Sequence, residues 1–519
     1  MLYFQYKMES KKENKKRAFL TTSQYLSLIS SVFVLLLTIT IFLFSKGYRI
    51  NFTKRSISKT GAIIVRSQPS GATIFLNGEN IGKTTKSRVV ESGEYDVSVK
   101  KDKYREWKKH VSVAEERPTQ LLPWLISEDL RKYTVWESKQ LVEKSWINEK
   151  KDVALVLLKE NGGIYSLWRY KIERGMFDIS SNPVKVWETE NPNIEISLAP
   201  EGMFALLTVN KDSENEAKYL VDSTNISITT NNLLNLTNIE SPKISWSKDS
   251  KNLIIESPTE IFSYNYSEKI LYSLMKKPEG EPLIWTTSNK GDFYFIENSS
   301  TSDSPAYLYT LKTISLKDTT QQTVLKDIYM QKDLKYINYY RENLPTPVFF
   351  TNSPINTQTV GKINNISIDS NIGILLISTE TSAYLYNTKS SMYMMISPFP
   401  TKFGEISPDG KSLLYYSNNE INVFSFEKEE LDHTKEIGAK KFTQEGEVEN
   451  IEWISNSRYF SYTKNGNIYI SQTDGENEYE ILPLDNTPFF TVKYSLDSII
   501  LFGQDTEGNF TIDEYRLTN

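Results

Sequence analysis

The residues able to do chemistry are few in this chain of 519 residues, and they exclude more than they offer. There is no cysteine, so thiol nucleophiles, disulfides and thiolate metal sites are ruled out. Two histidines, His110 and His433, leave at most one imidazole pair for metal binding or triad chemistry. No Gly-x-Ser-x-Gly elbow, phosphate loop or His-Glu-x-x-His run occurs. Acid–base chemistry would fall to the 65 carboxylates, too many to choose a pair from sequence. We therefore assign no catalytic, cofactor-binding or metal-binding residue and expect no cofactor. Asp409-Gly410 and Asp474-Gly475 offer one or two oxygens each where calcium takes six to eight, so both read as turns.

One stretch invites a binding role: Lys100-Lys101-Asp102-Lys103-Tyr104-Arg105-Glu106-Trp107-Lys108-Lys109-His110. Its basic residues Lys100, Lys101, Lys103, Arg105, Lys108 and Lys109 interleave with Tyr104 and Trp107. They are candidate contacts to an anionic wall polymer or lipid headgroups. The alternative is a solvated hairpin face with both aromatics turned inward. His110 alone reads as a strand residue.

The charge balance says where such residues sit. Met1–Glu116 holds 21 basic and 10 acidic residues, net +11, whereas Arg117–Asn519 holds 39 and 55, net −16. An acidic body opposes nucleic-acid binding, since phosphate contacts need a positive surface.

Leu26–Phe44 is 19 residues without a charge, close to the roughly 20 that span a bilayer. A signal peptide has a shorter core of about 7–15 residues ending in small residues; this one ends Phe42-Leu43-Phe44-Ser45-Lys46, which fits an uncleaved signal-anchor. Lys7, Lys11, Lys12, Lys15, Lys16 and Arg17 before it are nearly balanced by Lys46, Arg49, Lys54, Arg55 and Lys59 after it. Short tails weigh more than long domains in the positive-inside rule, which favours a cytoplasmic amino terminus and an extracytoplasmic body. The expected order is a basic tail (1–25), a transmembrane helix (26–44), a polar stalk (45–60), a small β domain (61–115), a linker (116–132) and a repeating body (133–519).

The small domain reads as short strands and turns. Ala62–Arg66 and Thr73–Leu76 are broken by Pro69-Ser70-Gly71 and by Asn77-Gly78, a strong hairpin signal. Tyr95, Val97 and Val99 alternate with Glu94, Asp96, Ser98 and Lys100, and Val111 and Val113 repeat the pattern. The string Ser67-x-Pro69-x-Gly71-Ala72-x-Ile74-x-Leu76-Asn77-Gly78-x-x-x-Gly82-x-Thr84, followed by Gly93-x-Tyr95-x-Val97-x-Val99, resembles the PEGA domain over about 55 residues. Thr85 stands where that family usually has Pro, and Lys103 where Gly is common. The resemblance implies a small β module of surface-layer and envelope proteins, used for presentation or adhesion and without catalytic residues. In the linker, Leu121, Leu122, Trp124, Leu125 and Ile126 are too apolar for a free tether and should pack between the domains.

Beyond Arg131 the sequence repeats. Lys243–Ile255, Phe403–Tyr415 and Ile451–Tyr462 each give an apolar strand, a polar turn and a second apolar strand; weaker copies begin near Trp146, Leu198, Trp285, Ile368 and Tyr494. Eight copies at intervals of mostly about 40–50 residues match four-stranded propeller blades. Trp246, Trp285 and Trp453 fall on first strands and read as core between blades. The strongest turn, Ile406-Ser407-Pro408-Asp409-Gly410-Lys411-Ser412-Leu413, resembles the WD40-like repeat of TolB-type propellers. The last copy, Thr491–Leu517, has three strands, and 133–141 is placed to supply the fourth. The double interval from Trp285 to Ile368 holds a long insertion, including Lys335–Phe350, or a degenerate blade. The expected fold is all-β: a PEGA-like domain and a propeller of eight blades, seven being the alternative, behind one transmembrane helix.

This combination points to a membrane-anchored envelope protein whose propeller binds a protein or polysaccharide and is not an enzyme. The alternatives are a propeller enzyme acting on glycans or peptides through Asp, Glu and Tyr, or an envelope sensor.

Overall fold

A computed structural model describes residues 22–45, 47–51, 56–172, 182–228, 232–234, 242–278, 283–300, 306–331, 349–350, 362–369, 373–380, 382–387, 392–397, 401–417, 420–426, 438–443, 448–454, 457–484, 487–493, 497–505 and 507–518. Most of the expected basic tail and of the insertion after Gln331 lies outside them. Helix α1 (Thr22–Ser45) contains 21 residues, Tyr25–Ser45, that are long and apolar enough to cross a membrane, and that apolar stretch is not buried among the described residues.

Eight short strands then build the small module: β1 (Tyr48–Asn51), β2 (Ser56–Val65), β3 (Thr73–Leu76), β4 (Glu79–Lys83), β5 (Lys86–Glu91), β6 (Gly93–Lys100), β7 (Trp107–Val113) and β8 (Pro118–Leu121). One sheet runs β4-β3-β6-β7; the other centres on β2, paired with β1, β5 and, in parallel, β8. Two corrections follow. The expected stalk (45–60) contributes β1 and the start of β2, and the expected linker contributes β8. Asn77 and Gly78 turn β3 into β4 with both φ positive (49° and 83°), as a tight two-residue hairpin requires. At Gly61 a side chain has no room: a Cβ would lie 2.4 Å from the Ala114 carbonyl oxygen.

Eight more sheets follow, over 141–189, 194–222, 243–276, 284–331, 349–397, 401–443, 448–483 and 489–516. Strands pair antiparallel in chain order. The second sheet has three described strands, and the fifth gains an edge pair, Phe349–Phe350, against Met392–Ser397. The last sheet takes its fourth strand from before the ring: β9 (Arg131–Ser138) pairs with Phe510–Arg516.

Strand patterns explain how these sheets assemble. In β7, exposure alternates strictly, as expected for a sheet with one buried face. Val153–Leu158 in blade 1 is buried on both faces, so it reads as a continuous apolar run. Val153, Leu155 and Leu157 pack with Ile194, Ile196 and Leu207 of blade 2, while Ala154, Val156 and Leu158 pack with Ile500, Phe502 and Ile512 of blade 8. Six further layers join blades 2–3, 3–4, 4–5, 5–6, 6–7 and 7–8. Each sheet shares one apolar layer with each neighbour, and the layers close a circle. The fold is therefore an eight-bladed propeller. Each buried Leu, Ile or Phe in these layers contributes about 1.5–3 kcal/mol.

Candidate functional site

First strands lie nearest the axis of a propeller, and those of blades 1 and 2 and of blades 4 and 5 touch one another. The tryptophans on them bond between blades as well as packing: Trp146 Nε1 donates to Glu195 Oε1, Trp246 Nε1 to the Ser197 carbonyl and Trp453 Nε1 to the Glu405 carbonyl, each at 2.9 Å. Trp285 stacks on Phe293. The turns tie blades in the same way. Asp409 Oδ1 accepts from Ser407 Oγ and the Lys411 N–H, while the Asp409 N–H donates to Ser457 Oγ of blade 7. Gly410 stands at φ 73°. Pro408, Asp409 and Gly410 therefore do turn work.

One carboxylate on a first strand is strongly perturbed. Glu405, on the first strand of blade 6, is exposed yet hemmed in by protein. That crowding and the neighbouring Glu452 raise its pKa to about 7, against the opposing influence of Lys151. Lys151 comes from the turn after the first strand of blade 1. Its carbonyl accepts from Thr491 Oγ1 of blade 8, and its ammonium pairs with Glu452 of blade 7. One basic side chain thus reaches past a whole blade to a carboxylate pair. Chemically, a protonatable acid stands beside a lysine-paired carboxylate, the asymmetry that separates an acid from a base. Sequence reasoning missed this group, because only ring closure brings residues 151, 405 and 452 together.

The basic hairpin has a different fate. Trp107 and Tyr104 are buried (1 % and 7 % exposed), the inward-facing alternative. Lys109 follows Trp107 onto the buried face of β7, and its ammonium pairs with Asp474 of blade 7 at 2.9 Å; the two side chains are 2 % and 9 % exposed. Lys109 is thus withdrawn from any external anion, a correction to its expected surface role. Arg105 donates to the Glu480 carbonyl and lies over the Tyr479 ring. Lys100 and Lys108 both pair with Glu106, whereas Lys101 donates to the Ser70 carbonyl and lies over Tyr104. Lys103 is exposed at φ 65°, which explains why glycine suits that position. The six basic residues do not converge on one anion site.

What the hairpin builds is a seam. Asn477 Oδ1 accepts from the Lys108 N–H and its Nδ2 donates to the Lys108 carbonyl, as a neighbouring strand would. The His110 N–H donates to Glu476 and Trp107 Nε1 to Gln472. The His110 ring pairs with Asp96 and Glu94, and the bond to Asp96 holds its pKa up. A cleft of about 430 Å³ opens beside it, lined by Asp96, Ser98, Lys108, His110 and Glu476. The motif residues Pro69, Gly71, Ala72, Gly78 and Gly82 shape the module's turns around a core of Ala72, Ile74 and Leu76. The peptide bonds before Pro69 and Thr85 are cis.

Ring and seam together define an eight-bladed propeller docked on a small β module. The family model of the PEGA domain matches residues 60–123. No curated protein matches the chain. Among solved structures it is similar to the WD40 domain of SCAP from fission yeast (10 % identity, TM-score 0.41, 75 % of this chain and 98 % of that one). It is also similar to an oligogalacturonate lyase from Vibrio parahaemolyticus (9 %, 0.37, 75 % and 97 %) and an uncharacterized protein from Listeria monocytogenes (10 %, 0.38, 68 % and 98 %).

Proposed function

We propose that this chain is a membrane-anchored extracytoplasmic binding or scaffold protein, whose propeller serves as a protein- or glycan-binding platform in the cell envelope. The observation that carries the reading is the order of parts: an apolar helix, a PEGA domain joined by β1 and β2, and a propeller fixed to that domain through a built seam. Such a chain holds a broad loop-bearing face at a set orientation to its anchor, which suits display. Protease shaving of intact cells tests the topology: the reading requires cleavage of the propeller and fails if residues 61–519 are protected. Crosslinking followed by pull-down tests the platform role, which fails if neither an envelope protein nor a polysaccharide is recovered.

A second reading, a propeller enzyme acting on glycans or peptides, is favoured by one arrangement: Glu405 is exposed beside Glu452, and crowding together with that neighbour pushes its pKa up to about 7. Loss of hydrolysis or elimination on envelope glycans in a Glu405→Gln variant would support it. Wild-type inactivity on glycans and peptides alike leaves the binding reading alone.

A further inference from the structure

We propose that the PEGA module is an intramolecular lock on the propeller's closing blade, gripping both ends of the ring that meet there. The joint between β9 and Phe510–Arg516 is where the ring can part without dragging a covalent connection along, so local opening should begin there. Three sets of contacts converge on it.

The first is at the carboxyl end. Leu517 is fully buried, its N–H donates to the Asp497 carbonyl, and its own carbonyl accepts from the Ser127 N–H, both at 2.7 Å. Asp497 Oδ2 accepts from Thr518 Oγ1 at 3.0 Å and from Gln68 Nε2 of the module at 2.6 Å. The second is at the amino end. Just before β9, the Arg105 N–H donates to the Ile126 carbonyl and the Glu128 N–H to the Lys103 carbonyl, strapping the entering chain to the module. The third is between blades. Trp124 and Ile126 enter the apolar layer of blades 7 and 8, where Trp124 meets Tyr459 edge-on at 5.3 Å. Meanwhile the edge of β7 is fastened to blade 7 by Asn477, Glu476 and the buried Lys109–Asp474 pair. The module therefore holds blade 7, the end of blade 8 and the start of β9 at once. Undocking it frees both strands of the joint.

Hydrogen exchange on the full chain in detergent micelles tests this, with Asn477→Ala and Gln68→Ala each removing seam bonds without touching β9. The lock requires amides of β9 and 510–516 to exchange at least about tenfold faster, with those of 252–256 in blade 3 unchanged. Unchanged exchange in β9, or equal acceleration in every blade, overturns it. Should either variant fail to fold, the wild-type chain supplies the same decision under rising denaturant. The seam amides of Lys108 and His110 should open no later than those of β9; β9 opening while the seam stays protected overturns the lock.

Discussion

The basic hairpin and the Lys151–Glu405–Glu452 cluster are both charged, yet only one of them remains open. In the hairpin Lys100, Lys101, Arg105, Lys108 and Lys109 each have a protein partner, and the pair Lys109–Asp474 is sealed from water. Beside Glu405, Lys151 and Glu452 also pair, but Glu405 itself is exposed and its pKa is displaced toward neutrality. Charge density alone does not distinguish a seam from a site. Solvent access does: a buried pair is spent on structure, whereas a crowded group that still meets water can exchange a proton or bind a ligand.

The sharpest way to break this contrast is at the seam. Trp124→Ala should cost about 3–5 kcal/mol, because it empties a fully buried site between blades 7 and 8, and should speed proteolysis of residues 116–132. An unchanged thermal midpoint would remove the packing role. Next, Lys109→Met should cost about 3 kcal/mol by stranding Asp474, and adding Asp474→Leu should restore most of it, as measured by denaturant titration. If the double variant is no better than the single, the pair does more than satisfy itself.

The Glu405 cluster predicts a pH effect of smaller size. Glu405 binds its proton more tightly folded than unfolded, so stability is highest below pH ~4.5 and falls as pH rises to about 7. Solvent at the exposed side chain screens the effect to on the order of 1 kcal/mol. Glu405→Gln should abolish that component in thermal melts across pH 4–8; an identical slope in both proteins refutes the assignment. Least of all, Lys100→Ala should change stability by under about 0.5 kcal/mol, since its pair with Glu106 is solvated. A larger loss would make the exposed hairpin face part of the seam.

Much of the fold was legible because it follows from local pattern. Alternation marked β6 and β7, Asn77-Gly78 marked a hairpin, and the repeated turn around Pro408-Asp409-Gly410 marked the blades. Even the closing strand showed itself, as three strands at one end and a spare one at the other. The fate of Lys109 was also readable: counting back in twos from Val113 puts it on the buried face with Trp107 and Val111. It was misjudged because a lysine run suggests a solvated face, and its partner lies 365 residues away in sequence. Glu405 carried no local signal at all. Its environment arises from three blades meeting at an axis, and no spacing along the chain encodes that.

The pairing of β9 with Phe510–Arg516 also has a consequence in time. Thr134 bonds Asp513 across 379 positions of sequence, so β9 leaves the ribosome long before its partner exists. At synthesis rates of about 5–20 residues per second, that strand waits roughly 20–80 s with an unpaired edge. Nascent chains are therefore most exposed to wrong pairing while seven blades are already made and the eighth is not.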